Sequence, residues 1–425
     1  MTEAGTDSRS PSVGAFLALV ASRWLPTGLL IPVVVLLMQE RGLTLGQIGL
    51  AAAMQGVMVF LLELPTGGLA DTIGRRPVLL VAACVECAAV CLLLVADSLA
   101  LLAVVFLLQG IYRSLESGPL EAWFVSGYRP TSGAPPAGTV LARAGVATGL
   151  AIAAGSLFAG GLVWWHPLGS ASPLALPVAF AAVLRLADLA LIATMMHETR
   201  PSRPLHPRAL LGDAGAVVAD TLRQVRSSLA LAGLIAVEFC WGFGMTAFET
   251  LFPPRLAEVT GSADEAASLL GPVGAVAWLV AAAGASLAPL LGRRLGLVPA
   301  AMVTQALQVV AIVGIALVAG PTGAVVCYLA TLMLHGAINP LYRTVLHEHA
   351  DDEHRTTILS ASSMAAHPGG AIGGIALGAL ATATSVSVAM IVGAAMLAMA
   401  VPMYLPARSR SRRSAEPAMA ARTST

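Results

Sequence analysis

Long apolar stretches constrain the fold of this chain more than any other feature. A helix needs about 20 apolar residues to span the hydrocarbon core of a membrane, and the stretches are long enough to form such helices. They also exclude a membrane barrel, whose strands alternate apolar and polar residues in segments of about ten. The sequence therefore predicts an all-α integral membrane protein with twelve transmembrane spans, near residues 13–38, 46–70, 77–97, 99–126, 139–165, 172–196, 228–252, 266–291, 297–319, 322–346, 356–381 and 384–406.

The composition agrees with a chain surrounded by lipid. Hydrophobic residues make up 57% of the sequence and charged residues 11%, whereas soluble domains carry about 25% charged residues. The formal net charge is only +1, so we expect a lipid bilayer as partner and no nucleic acid. The sequence has no P-loop, no HExxH and no catalytic serine motif, so we expect no enzyme activity, cofactor or metal.

The arginines predict the orientation in the membrane. All 24 basic residues are arginine. With the N-terminus inside, nearly every arginine between spans falls on the inner side, and only Arg41 and Arg255 fall on the outer side. The positive-inside rule then predicts that both termini are cytoplasmic. We expect the protein to lie in the cell inner (plasma) membrane.

One long polar connector divides the spans into six and six. The predicted layout is a cytoplasmic tail, a six-helix bundle, a cytoplasmic linker, a second six-helix bundle and a second cytoplasmic tail, at 1–12, 13–198, 199–227, 228–406 and 407–425. The linker is either a helix lying on the membrane surface or a mobile tether.

The loop between spans 2 and 3 carries the motif GGLADTIGRR, which starts at Gly67. The second half echoes it between spans 8 and 9, where Gly296 aligns with Gly74. Internal repeats of this kind are typical of one large transporter class. With twelve spans in two sets of six, the motif resembles the signature loop of the major facilitator superfamily.

The resemblance implies a fold and a mechanism. The expected fold is two six-helix bundles with a substrate site between them at the membrane midplane, and the expected mechanism is alternating access. The motif would form a conformational latch, with Asp71 facing the start of span 11 near Arg355. The residues of this latch are Gly67, Asp71, Gly74 and Arg75.

Several ionisable residues lie within the spans of the first half, where a charge is costly and needs an explanation. Arg23 and Glu63 lie at similar depth on adjacent helices, and we expect them to form an ion pair, as a structural clamp or as a proton switch. Arg113 and Glu116 are three residues apart in span 4 and share a helix face.

Span 6 and span 3 carry further charges. Arg185 and Asp188 are three residues apart in span 6, and we interpret them as a self-neutralising pair. Glu86 in span 3 has no obvious partner in the sequence.

The second half has fewer such groups. The superfamily resemblance implies that spans 1, 4, 7 and 10 line the cavity, so Glu238 in span 7 and His335 in span 10 would face it. A carboxylate in an apolar cavity can exchange protons near neutral pH. The candidate residues for substrate binding and proton coupling are therefore Arg23, Glu63, Arg113, Glu116, Glu238 and His335.

These features predict a secondary active transporter that exports a small amphipathic or hydrophobic molecule in exchange for protons, and the superfamily resemblance implies that it is a monomer. Two alternatives remain open. One is a proton-coupled importer of a polar metabolite, and the other is a membrane receptor or assembly partner that does not transport.

Overall fold

We describe a computed structural model of the chain, covering residues 11–67, 69–129, 134–167, 169, 172–198, 223, 228–350 and 355–408. The predicted tails and linker lie almost entirely outside these described residues. Within them the secondary structure is entirely helical, without strands.

Twelve helical segments of this part are long and apolar enough to cross a membrane, and the twelve predicted spans are confirmed. Spans 1 and 4 are each built from two helices, because Pro32 and Pro119 follow the points where the first helix ends. A short helix, Leu69–Ile73, lies between spans 2 and 3. The helices of the first half are Val13–Leu30 and Val34–Glu40 (span 1), Leu45–Gly67 (span 2), Arg75–Val95 (span 3), Leu99–Glu116 and Pro119–Gly127 (span 4), Ala137–Trp165 (span 5) and Ala175–Met195 (span 6).

The second half repeats the pattern of long helices joined by short turns. Span 7 is again interrupted, here before Pro253. The helices are Leu229–Glu249 and Phe252–Thr260 (span 7), Ala263–Leu295 (span 8), Leu297–Leu317 (span 9), Pro321–His349 (span 10), Arg355–Ala383 (span 11) and Val386–Met403, which a 3₁₀ turn at Leu405–Ala407 extends (span 12).

Serine residues mark where several of these apolar helices begin. In each case the hydroxyl accepts a hydrogen bond from the backbone N–H three residues later, which satisfies a donor that the first helical turn leaves open. The capping serines are Ser12, Ser98, Ser228, Ser262 and Ser385.

The described residues group into two compact units. Unit 1 is drawn from Met1–Arg41, Met58–Gly212 and Ala267–Ala275, and unit 2 from Gly42–Val57, Asp213–Ala266 and Val276–Thr425. Each unit therefore includes a short piece of a span from the other half of the sequence. The bundle boundaries predicted from the sequence stay a prediction.

In unit 2, the first part of span 2 packs closely on span 11. A Cβ atom added to Gly49 would collide with the carbonyl oxygen of Gly374. Nearby, the backbone N–H of Gly46 donates to Thr382 Oγ1 at 2.9 Å. The two helices thus touch through their backbones, which small residues permit.

Unit 1 contains a similar contact between span 5 and the start of span 8. A Cβ atom on Gly160 would lie 2.8 Å from the carbonyl oxygen of Ser268 and 2.9 Å from Cα of Gly271. Ser156 is buried beside this crossing and donates to the carbonyl oxygen of Gly28 at 3.1 Å.

Two glycines begin equivalent spans in the two halves with the same backbone conformation. Gly74 precedes span 3 with φ 99° and ψ 150°, and Gly296 precedes span 9 with φ 86° and ψ 151°. Residues with a Cβ rarely adopt this conformation. The equivalence supports the internal repeat that the sequence predicts.

Two arginines also have equivalent roles in the two halves. Arg41 follows span 1 and donates to three carbonyl oxygens at the end of span 3, and Arg255 follows the first helix of span 7 and donates to two at the end of span 9. A guanidinium group is well placed there, because the last carbonyls of a helix lack partners and carry partial negative charge. The acceptors of Arg41 are Leu93, Leu94 and Ala96 at 2.6–2.8 Å, and those of Arg255 are Ile315 at 3.3 Å and Val318 at 2.9 Å.

Candidate functional site

Unit 1 contains a network of buried charged side chains that joins four spans. Burying a charge is costly unless the charge is paired and hydrogen-bonded, so a network of this size inside a membrane protein indicates a role. Its members are Arg23 in span 1, Glu86 in span 3, Glu116 in span 4, and Arg185 and Asp188 in span 6.

Arg23 forms an ion pair with Glu116. Their side chains are 14% and 11% exposed. Glu116 is the last residue of the first helix of span 4, so the pair lies at the point where that span is interrupted. Glu63 lies partly buried in span 2 and also takes part in a polar interaction. An ion pair between Arg23 and Glu63 stays a prediction.

Arg185 is the most connected group of the network. It forms an ion pair with Glu86 at 3.2 Å, and its guanidinium donates to the carbonyl oxygen of Arg23 at 2.8 Å and to Thr27 Oγ1 at 2.9 Å. The same group lies over the ring of Tyr112, 5.4 Å from the centroid. Glu86, which has no evident partner in the sequence, is therefore the acid that pairs with Arg185.

Asp188 makes its hydrogen bond to span 1 rather than within span 6. Its Oδ1 lies 2.6 Å from Ser22 Oγ, and the residue is only 3% exposed. The charges of Arg185 and Asp188 act on each other, but the ion pair of Arg185 and the hydrogen bond of Asp188 are made with other helices. Both side chains reach across to other helices, because residues three apart on one helix can still have nearer neighbours on the helices packed against it.

Arg113 and Glu116 differ in their surroundings. Glu116 is 8% exposed and packed against Arg23, whereas Arg113 is exposed at the surface of unit 1. The expected shared face therefore does not place both side chains in one buried site.

Unit 2 brings His335 of span 10 against two aromatic rings of span 7. The indole N–H of Trp241 donates to Nδ1 of His335 at 3.4 Å, and the two rings are nearly parallel with centroids 5.6 Å apart. Phe248 lies on another side, with its centroid 5.8 Å from that of His335. Accepting this bond requires an unprotonated Nδ1, so the ring is neutral and carries its hydrogen on Nε2.

Glu238 lies one turn before Trp241 on the same helix and is partly buried. Arg343 of span 10 is the charged group that acts on it. Tyr342 lies next to Arg343 in the chain, and its hydroxyl donates to the carbonyl oxygen of Leu234 at 3.1 Å and lies 2.7 Å from Ser362 Oγ. Spans 7, 10 and 11 are thus joined by polar contacts near Glu238.

These sites lie on a fold that comparison with known proteins identifies. The sequence model of the Major Facilitator Superfamily matches residues 15–374. The chain belongs to the Major Facilitator Superfamily. By family and fold it is a transporter that sits in a lipid bilayer and binds small molecules. No curated protein matches the sequence.

Solved structures of other superfamily transporters have the same fold. The nucleoside transporter NupG is 11% identical with a TM-score of 0.74, over 93% of this chain and 98% of that one. A bacterial homologue of the human lysosomal transporter Spinster, in an inward-facing and unoccupied conformation, is 14% identical with a TM-score of 0.70, over 94% and 95%. The human organic anion transporter MFSD10 is 17% identical with a TM-score of 0.60, over 92% and 98%.

The superfamily's signature loop connects spans 3, 4 and 6 within unit 1. Arg75 donates to the hydroxyl of Ser126, at the end of span 4. Arg76 donates through its side chain to the carbonyl oxygen of Ala193 at 2.7 Å, and through its backbone N–H to Glu198 at 2.8 Å. Arg76 therefore binds the end of span 6, a role that its place in the sequence does not indicate.

The proposed latch falls partly outside the described residues. The backbone of Asp71 belongs to the short helix Leu69–Ile73. The side chains of Asp71 and Arg355 and the surroundings of Gly67 lie outside the described part of the chain. A contact between Asp71 and the start of span 11 stays a prediction.

Proposed function

We propose that this superfamily transporter exports a small amphipathic or hydrophobic molecule in exchange for protons. The observation that carries the proposal is the buried Arg23–Glu116 ion pair at the interruption of span 4. A carboxylate held by a buried arginine can take up a proton when the pair separates, which couples protonation to a change in helix packing.

The exposure of Arg113 supports a water-accessible path beside this pair. An arginine in contact with lipid near the middle of a span costs a few kcal/mol. Arg113 is exposed and lies only three residues before Glu116. We infer that this face of span 4 lines the transport path, where water and substrate can reach the ion pair.

The aromatic groups around His335 support the proposal that the substrate is amphipathic or hydrophobic. Trp241 and Phe248 present ring surfaces, and the neutral His335 offers a polar atom beside them. Ligand sites of this kind combine aromatic walls with a few placed polar groups. We infer that this part of unit 2 binds substrate, with Glu238 as a second proton-exchanging carboxylate.

The glycine contacts support alternating access. The crossing of Gly49 with Gly374 and that of Gly160 with Gly271 lack side chains that interlock. Contacts of this type bring helices close and let them part without displacing side chains. We infer that they close one side of the transport path and open in the opposite state, in a protein that acts as a monomer in the plasma membrane.

The test is proton movement in liposomes that contain the purified protein and a pH-sensitive dye. The panel of added compounds consists of lipophilic cations and neutral antibiotics. We expect a pH change that depends on the compound and that Glu116→Gln and Glu238→Gln abolish. Glu348→Gln is the matched control, because Glu348 is exposed near the end of span 10, and it should transport normally.

Other outcomes would favour other functions. Uptake of a polar metabolite that Glu238→Gln abolishes, without any effect of the lipophilic panel, would indicate an importer. Flux of a labelled compound without a pH change would contradict proton coupling. The absence of flux with every compound class would favour the receptor or assembly role.

A further inference from the structure

Asp188 is buried, and the hydrogen bond that its side chain makes is to a serine hydroxyl. Ser22 Oγ lies 2.6 Å from Asp188 Oδ1 and 3.1 Å from the carbonyl oxygen of Leu19. A serine hydroxyl has a single hydrogen, so it cannot fully serve both acceptors while Asp188 is ionised. When Asp188 carries a proton and donates it to Ser22 Oγ, the hydrogen of Ser22 goes to Leu19 and both contacts are full hydrogen bonds.

The charges of the network lead to the same conclusion. Arg23 pairs with Glu116 and Arg185 pairs with Glu86, which leaves Asp188 as a third acid without an arginine of its own in these ion pairs. An ionised carboxylate that is buried without an ion pair is costly in an apolar environment. A bound proton removes that cost at Asp188.

The hydrogen-bonding and titratable groups around Asp188 come from spans 1, 3 and 4 and from span 6 itself. Span 5 adds no titratable side chain between Arg143 and its end at Trp165. The hydrogen-bonding and titratable groups from the other helices are Ser22, Arg23 and Thr27 of span 1, Glu86 and Cys87 of span 3, and Tyr112, Arg113 and Glu116 of span 4, together with Arg185 of span 6 itself.

We propose that Asp188 is a proton-binding site of the transporter and that it is occupied in the conformation described here. The inference rests on the proposed proton coupling and names a carrier for the proton. Ser22 belongs to span 1 and Asp188 to span 6, so a shift of span 1 removes the acceptor that stabilises the protonated acid. The O–H bond of Asp188 then breaks, its proton passes to water, and the carboxylate is left facing Arg185 and Arg23.

Infrared spectroscopy of the full-length protein in liposomes tests this directly. A protonated carboxylic acid has a C=O stretching band that a carboxylate lacks. At neutral pH we expect this band in the unmodified protein and its loss in Asp188→Asn. Asn donates to Ser22 in the way a protonated Asp does, so the variant should fold. Asp264→Asn, at the exposed start of span 8, is the matched control and should leave the band unchanged.

A second variant keeps the test decisive if Asp188→Asn fails to fold. Ser22→Ala removes the acceptor of the acid proton and should move the band to higher frequency without abolishing it. A spectrum that neither variant changes, or a protein without the band at neutral pH, would overturn the inference.

Transport measurements separate this inference from the proposed function. Asp188→Asn should still exchange substrate for substrate across the membrane, while its substrate-dependent proton release falls below detection. If the unmodified protein moves substrate without protons and still loses the band in Asp188→Asn, proton coupling is wrong and the protonation of Asp188 stands.

Discussion

Trp241 donates its indole N–H to Nδ1 of His335, which joins spans 7 and 10 through two nearly parallel rings. Removing the acceptor leaves a buried donor unpaired, at a cost of about 1–3 kcal/mol. We therefore expect His335→Leu to destabilise the fold by about that amount. It should also raise the apparent KM for substrate roughly tenfold, the effect of losing one hydrogen bond of about 1.4 kcal/mol to the substrate. His335→Asn keeps an acceptor near the position of Nδ1 and should stay within about threefold of the unmodified protein.

Two measurements check the histidine prediction, the concentration dependence of transport and the tryptophan fluorescence spectrum. The spectrum should change in His335→Leu and much less in His335→Asn. Equal effects of the two substitutions on KM would contradict a role for the Trp241 hydrogen bond.

The Arg23–Glu116 pair predicts a non-additive pattern of stability. Glu116→Gln leaves the buried Arg23 without its counter-charge, and such losses cost about 3–5 kcal/mol. Replacing both partners by apolar residues, in Arg23→Met with Glu116→Leu, removes both charges and should be much less destabilising. Thermal unfolding in detergent measures the stability of each variant.

Function should not follow stability in this series. The double variant should regain stability but not proton-coupled transport. A double variant with full proton coupling would show that the pair is only a structural clamp.

The contact between spans 2 and 11 predicts a reversible block by a disulfide. A Cβ atom on Gly56 would lie 3.6 Å from Cβ of Ala371, which is within the range of about 3.5–4.5 Å for the two Cβ atoms of a disulfide. In a background without the five native cysteines, oxidation of Gly56→Cys with Ala371→Cys should stop transport, and a reductant should restore it.

The control for this cross-link joins two spans of the same half of the chain. A Cβ atom on Gly314 of span 9 would lie 3.5 Å from Cβ of Cys327 of span 10. In a background that keeps Cys327, a disulfide between Gly314→Cys and Cys327 should leave transport intact. Full transport by the oxidised Gly56–Ala371 pair would contradict the proposed opening of the contact between spans 2 and 11.

Arg41 should stabilise the fold more than exposed arginines do. Its three carbonyl contacts are hydrogen bonds from a charged donor, and such a bond contributes about 1.5–3 kcal/mol after exchange with water. We expect Arg41→Ala to lower the unfolding midpoint clearly and Arg41→Lys to lower it less. Arg143→Ala, at an exposed position of span 5, should have little effect, and equal shifts for both alanine variants would refute this role.

The spans were predictable because hydrophobic length alone determines whether a helix can cross a bilayer. The partners of the charged residues were not. Helices that are apolar all round carry no periodic signal for the face that meets a neighbour. Glu86 and Arg185 are 99 positions apart in the numbering, and only the packing of spans 3 and 6 brings them together at 3.2 Å.

In the candidate site, too, some features could be predicted from the sequence and others could not. Residue type and depth identified Arg23, Glu116 and His335 as unusual, since each lies within an apolar span. The sequence could not indicate that Asp188 reaches Ser22, or that Trp241 donates to His335, because those contacts depend on the rotation of two helices about their axes. The cytoplasmic location of both termini follows from the positive-inside rule and stays a prediction.

The hydrogen bonds of Arg41 have a consequence for where the chain can bend. Arg41 is the last residue of its segment of unit 1, and the next residue, Gly42, begins a segment of unit 2 with φ +86°. Three carbonyls hold the chain immediately before this glycine, while the space beside Gly42 is open. The chain is therefore anchored at Arg41 and unobstructed at Gly42, so we expect Gly42 to be the hinge at which the chain can change direction before span 2.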